Sequence, residues 1–168
     1  MSAYRAFIGM GSNMGERFRH LTDAATALRA IPRSSVVWFS PVYETDAWGK
    51  TDQPKFLNAA CEITTELEPA GLLAELKGIE TRLGRTKHER WGPREIDLDI
   101  LLYDGVVVDT PEVCVPHADL ANRRFVLVPL RDIAPDLVHP VSGLTVEEMA
   151  AACADQGRVV RSTHYITV

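Results

Sequence analysis

Phe56-Leu57-Asn58-Ala59-Ala60-Cys61-Glu62-Ile63 alternates in character, with Leu57, Ala59, Cys61 and Ile63 on one side and Phe56, Asn58, Ala60 and Glu62 on the other. A period of two marks a strand, and the run continues to Leu67. Just beyond it, Pro69 suits the first position of a helix, Leu72, Leu76, Ile79 and Leu83 follow at helical spacing, and Gly84 is a stop. After a basic loop reaching Pro93, Ile96 to Tyr103 reads as a further strand. Upstream, residues 46–54 hold Gly49, Asp52 and Pro54 and form a loop. Val36 to Thr45, rich in β-branched and aromatic residues, is a strand in which Pro41 marks an edge or bulge. Residues 4–10 form another strand, ending in a turn at Gly11-Ser12-Asn13. Met14, Phe18, Leu21, Ala25 and Leu28 then predict a helix, with Asn13 as N-cap, Glu16 three residues later and Pro32 closing it.

The order strand–helix–strand–strand–helix–strand predicts an α+β fold, a ferredoxin-like antiparallel sheet with a βαββαβ core. Its two helices cover one face. The C-terminal part covers the other, so helices pack on both faces. That part comprises a short strand near Val106 to Val108, a loop through His117 and an apolar piece from Phe125 to Leu130. A helix over Thr145 to Ala154, where Glu148 answers Thr145, and a short strand near Val159–Val160 complete it. No repeat, low-complexity tract or linker divides the chain, and residues 1–168 read as a single domain.

Hydrophobic residues at 46% and charged residues at 24% match an ordinary soluble fold and exclude disorder as the main state. Apolar runs such as Ile100 to Leu102 are far too short to cross a bilayer, and Met1-Ser2-Ala3-Tyr4-Arg5 lacks the layout of a signal peptide. The expectation is a cytoplasmic protein with no membrane partner. Cys61, Cys114 and Cys153 are odd in number and scattered, so they read as small buried hydrophobes in a reducing compartment. A net charge of −5 argues against nucleic acid as a partner.

The charge is unevenly spread. Arg82, Arg85, Lys87, Arg90 and Arg94 stand against the single acid Glu89, and Asp97 and Asp99 follow directly. Two apart on a strand, these carboxylates share a face, while Ile96, Leu98 and Ile100 turn into the packing. At about 6–7 Å they repel by roughly 2–3 kcal/mol at an effective dielectric near 20, which a hard divalent cation with oxygen ligands would offset. Five cations beside such a pair suit a metal-bound polyphosphate; two solvent-facing acids next to a solvated basic face is the plainer alternative. In Arg90-Trp91-Gly92-Pro93-Arg94, Pro93 and Gly92 set the backbone and Trp91 anchors the loop by burial, holding guanidinium forks for phosphate. Phe56 and Asn58 place a ring and a primary amide on one face, able to stack on a planar heterocycle and read its edge. A core Phe would look the same. His117 and Arg123 add donors. Gly9-Met10-Gly11 lacks the third glycine and the lysine of a phosphate-binding fingerprint and reads as turn chemistry.

Taken in order, Gly11-Ser12-Asn13, Asp52-Gln53-Pro54-Lys55-Phe56-Leu57-Asn58-Ala59-Ala60, Gly84-Arg85, and the run from Arg90 to Leu101 resemble the 6-hydroxymethyl-7,8-dihydropterin pyrophosphokinase family. Val115-Pro116-His117 and Asn122-Arg123-Arg124-Phe125 continue the resemblance over nearly the whole chain. It implies transfer of pyrophosphate from ATP to the pterin hydroxymethyl group in folate biosynthesis, with release of AMP. It implies Asp97 and Asp99 as ligands of two Mg2+ ions, and Arg85, Arg90 and Arg94 as a catalytic basic set on a loop closing over ATP. On the ATP side it implies Glu80, Lys87, Arg94, Ile100, His117 and Arg123. On the pterin side it implies Thr45, Trp48, Phe56, Asn58, Asp97 and Phe125, the two rings sandwiching the heterocycle. Lys87 stands where many relatives carry arginine, Phe56 where a tyrosine can occur, and Ala118 where some carry tyrosine. ATP and the pterin are the expected small-molecule partners of a monomer. Another metal-dependent nucleotidyl or phosphoryl transferase, and a non-enzymatic binding module, are the alternatives; the first is disfavoured by the distance in sequence between Ser12 and Asp97.

Overall fold

In the computed structural model, which describes residues 2–87 and 89–167, the chain folds into an antiparallel sheet sandwiched between helices. The elements run β1 (Tyr4–Ser12), α1 (Arg17–Arg29), β2 (Ser34–Phe39), β3 (Tyr43–Thr45), β4 (Phe56–Thr65), α2 (Pro69–Arg82) and β5 (Asp97–Tyr103). They continue with β6 (Val108–Asp109), β7 (Cys114–Val115), α3 (Arg124–Ile133), α4 (Val146–Ala152) and β8 (Val159–Arg161). Among the described residues the main sheet is ordered β5-β1-β4-β3-β8, with β2 also paired to β4, and β6 and β7 form a separate ribbon.

The alternation of β4 sorts two cores. Leu57, Ala59, Cys61 and Ile63 join Ile8, Met10, Leu98 and Ile100 under Leu21, Ala25 and Leu28 of α1 and Leu72, Leu76 and Ile79 of α2. On the opposite face Phe7, Ala60 and Leu101 pack against Leu127, Leu130 and Ile133 of α3 and Val146 and Met149 of α4. Each such buried aliphatic side chain contributes about 1.5–3 kcal/mol. Pro69 begins α2, and Gly84, at φ 90°, ends the segment in the left-handed region. Thr145 caps α4 by accepting the Glu148 N–H at 3.1 Å, as its spacing predicts.

Four expectations are corrected, and one segment left open is resolved. Of the three cysteines read as buried, only Cys61 is so, while Cys114 is exposed and Cys153 half-buried. The strand over 36–45 is two pieces, because Pro41 interrupts the ladder between Phe39 and Tyr43. Asn13 is not an N-cap: α1 starts at Arg17, and the Asn13 side chain is spent on contacts to two loops instead. The apolar piece after Phe125 is a ten-residue helix despite Pro129 inside it, held by the apolar face it lays on the sheet. Gly9 and Gly11 belong to the body of β1, where Gly9 pairs with Ala60 and Asp99 and Gly11 pairs with Asn58 and Asp97.

Candidate active site

The pairing of β1 makes the site. Residues directly opposite one another in an antiparallel sheet share a face, so Asp97, Gly11 and Asn58 form one row and Asp99, Gly9 and Ala60 the next. The two glycines remove side chains from the middle of both rows and leave a hollow over the backbone of β1. A Cβ at Gly11 would lie 2.4 Å from Asn58 Oδ1, and one at Gly9 would lie 3.2 Å from a Leu101 methyl. The hollow is a cavity of about 280 Å³ on the α3 side of the sheet, and Phe56, Asn58, Asp97, Asp99, His117, Arg123 and Phe125 all line it. Asn58 is buried and donates from Nδ2 to Thr45 Oγ1 at 2.8 Å, which fixes its amide and leaves Oδ1 beside Gly11.

The acidic side is held by cations. Arg94 donates to Asp97 Oδ2 at 2.9 Å, and Arg85 bridges Asp97 Oδ1 at 2.9 Å and Glu80 Oε2 at 2.6 Å. Glu80, buried at the end of α2, also accepts the Leu98 N–H at 2.7 Å and meets Lys77 Nζ at 3.2 Å. Burial pushes the Asp97 carboxyl up, but Arg94, Arg85 and Lys77 outweigh it and hold it below the usual carboxylate range. Asp99 goes the other way: burial first, and then the Asp97 charge, raise it, against the weaker pull of Lys77 at 3.8 Å. Burial and the Arg123 charge keep the His117 imidazole below its ordinary value, although Asp99 pulls it up, and so favour the neutral ring. The repulsion expected between Asp97 and Asp99 is therefore only partly offset by guanidinium and ammonium groups, and Asp99 still carries it.

The roof is two loops that lock together. Asn13 donates to Gln53 Oε1 and the Pro54 carbonyl, each at 2.9 Å, and accepts the Arg94 N–H at 2.8 Å. Gln53 donates to the Trp91 carbonyl at 2.6 Å, and Lys50 pairs with Glu89. Trp91 is 40% exposed, so it anchors the loop by contact rather than by burial: its ring meets Trp48 edge-on at 5.7 Å, and a Cβ on Gly49 would come within 3.0 Å of it. Arg90 lies over Trp91 at 4.6 Å and lines the cavity with Arg94. Across the cavity Arg123 lies 4.5 Å over the Trp48 ring and 6.0 Å over Phe125, paired with Asp119 at 3.1 Å. Its Nε is buried without a hydrogen-bond partner.

Not every expected residue faces this space. Thr45 stands behind Asn58, and Ile100 points into the core beneath the sheet. Glu80, Arg85 and Lys87 line a second, shallower hollow with Lys77 that reaches the cavity through the Arg85–Asp97 bond. Sequence reasoning missed Gly9, Gly11 and Asn13. The signal for the glycines was present, since two residues without side chains stand two apart in a strand.

Among the described residues no three His, Cys, Asp or Glu side chains converge as a metal cage. The pair Asp97 and Asp99 nevertheless fits Mg2+, a hard cation that is held by one or two carboxylates and completes its shell with substrate phosphates and water.

The family model described as 7,8-dihydro-6-hydroxymethylpterin-pyrophosphokinase matches residues 7–135. The chain is 48% identical to the 2-amino-4-hydroxy-6-hydroxymethyldihydropteridine pyrophosphokinase of Methylorubrum extorquens, over 91% of this chain and 96% of that protein. It is 41% identical to the protein of that name in Pseudomonas aeruginosa, over 91% and 94% of the two chains. Among solved structures, wild-type HPPK-DHPS of Plasmodium falciparum superposes with a TM-score of 0.71 at 13% identity, over 89% of this chain but only 44% of that one.

Proposed function

The chain belongs to the 7,8-dihydro-6-hydroxymethylpterin-pyrophosphokinase family, and on that premise we propose how its cavity performs the family's reaction. The protein is a pyrophosphokinase of folate biosynthesis that acts on 6-hydroxymethyl-7,8-dihydropterin with ATP as co-substrate. The observation that carries the assignment of roles is the convergence of Asn58, Asp97 and Asp99 over Gly9 and Gly11, in a cavity that Phe56 and Phe125 also line.

The pterin lies on the glycine floor, its rings between Phe56 and Phe125 and its amide-like edge against Asn58, with Thr45 and Trp48 shaping that end. Asp97 and Asp99 would hold Mg2+, two ions on this reading, and the metal when bound would supply neutralisation of triphosphate charge. Arg85 and Arg94, paired with Asp97 at 2.9 Å each, would be the nearest guanidinium groups to a phosphate held there. Arg90, Lys87, His117 and Arg123 supply the remaining anion contacts, and Glu80 and the backbone at Ile100 border the nucleotide. Catalysis on this arrangement is positioning and electrostatic stabilisation, with the Arg90–Arg94 roof excluding water that would otherwise compete with the pterin hydroxyl.

We read the β1-α1-β2/β3-β4-α2-β5 order as ferredoxin-like and residues 1–168 as acting as one domain, a reading supported by the sheet order β5-β1-β4-β3. No helix among the described residues is long and apolar enough to cross a membrane; we place the enzyme in the cytoplasm as a monomer. Incubation with ATP, Mg2+ and the hydroxymethyl pterin is expected to yield AMP, and ADP as the nucleotide product would overturn the reaction type. Asp97→Ala and Asp99→Ala are expected to abolish turnover with circular dichroism unchanged, because both side chains project from the sheet into the cavity. Full activity in either variant would rule out that carboxylate as an essential metal ligand.

A further inference from the structure

Helix α3 carries Phe125 and Arg123 into the cavity, yet its N-terminus has no cap of its own: the N-cap residue is Arg123, whose side chain makes no capping bond. The first N–H groups of a helix need an acceptor. For α3 the acceptor comes from 31 residues away, where Asp155 Oδ2 takes the Arg124 N–H at 3.0 Å. That amide joins Arg123 to Arg124, so the carboxylate grips the backbone between the two cavity-lining side chains, and its negative charge suits the positive end of a helix.

Asp155 is itself fixed. Its Oδ1 accepts the Gly157 N–H at 2.9 Å, and a Cβ on Gly157 would lie 3.1 Å from that oxygen, so the segment closes tightly on the carboxylate. The next residue, Arg158, donates its backbone N–H to Asp46 Oδ2 at 3.0 Å and accepts the Asp46 N–H on its carbonyl at 3.1 Å, and Val159 pairs with Thr45 between β8 and β3. Residues 155–159 thus tie the start of α3 to the end of β3, behind Phe125 on one side and Trp48 on the other.

The geometry points to Asp155 as a positioning residue for the pterin wall, setting the distance of Phe125 from the glycine floor. The inference rests on the cavity being the pterin site. Arg123 has a separate hold through Asp119, so loss of Asp155 falls on Phe125 and on the pterin rather than on ATP.

The test is the steady-state KM of each substrate for Asp155→Ala. The KM for the pterin is expected to rise about fivefold to tenfold, the equivalent of one lost helix cap, with the KM for ATP within about twofold of wild type, and amide exchange at Arg124 is expected to accelerate. A pterin KM at the wild-type value, or both KM values rising together as Tm falls, overturns the inference. Should Asp155→Ala not fold, Asp155→Asn, which keeps an acceptor for one of the two N–H groups, is read in the same way. A rise of about threefold for the pterin alone supports the inference, and no selective rise overturns it. Phe125→Ala run in parallel separates the two levels: if it leaves the pterin KM unchanged the pterin reading fails, whereas if it raises that KM and Asp155→Ala does not, only the role of Asp155 fails.

Discussion

Gly11 shows how much one missing side chain decides. With Asn58 Oδ1 only 2.4 Å from where its Cβ would stand, any larger residue has to push the Asn58 amide out of the hydrogen bond it makes to Thr45. Gly11→Ala is expected to weaken pterin binding by about 1–3 kcal/mol, the cost of leaving a buried polar edge unpaired. Asn58→Ala should lose a similar amount by the direct route, and calorimetry that finds either variant at wild-type affinity would contradict the arrangement. Asp97 and Asp99 were legible from their spacing alone, because two residues two apart in a strand must share a face. Their different proton affinities were not, since those depend on Arg85, Arg94 and Lys77 arriving from a loop and a helix.

Among the elements, periodicity gave β4 and α2 nearly to the residue, and the Thr145 cap gave the start of α4. It failed where tertiary contacts override local preference. Pro129 breaks the helical pattern of α3, which forms because Leu127, Leu130 and Ile133 have a sheet to pack on. Asn13 carries the right side chain for a cap but finds better partners in Gln53, Pro54 and Arg94, all remote in sequence. Those three bonds join the end of β1 to both roof loops. Asn13→Ala is expected to destabilise the fold by about 1–3 kcal/mol and to lower turnover through Arg94, measured by urea denaturation and kcat. An unchanged kcat at reduced stability would show the tie to be structural only.

For the molecule as a whole, the α3–α4 layer is fastened to the sheet by polar as well as apolar contacts. Tyr43, in the row of Asn58, donates its hydroxyl to Asp132 of α3, and burial followed by that hydrogen bond pushes its pKa up to about 12 from 10.0. A raised pKa means that the folded chain keeps a proton which the unfolded chain releases. The stabilisation is therefore complete below about pH 10 and is lost as pH climbs toward about 12. Tyr103, also raised to about 12, first by burial, adds to the same alkaline loss. Tyr43→Phe is expected to flatten the fall of unfolding free energy across that window, and an identical slope in the variant would show that Tyr43 takes no part in it.

The bare backbone under Gly9 and Gly11 has a consequence for drug escape. A glycine can be exchanged only for something bulkier, so an inhibitor seated flush on this floor meets a surface that evolution can raise but never hollow out. With the pterin seated there as proposed, raising it would evict the natural substrate along with the inhibitor. Resistance to such a compound is thus pushed outward, to the rim at Trp48, Arg90 and Trp91, and a molecule that keeps clear of that rim leaves the cell few viable substitutions.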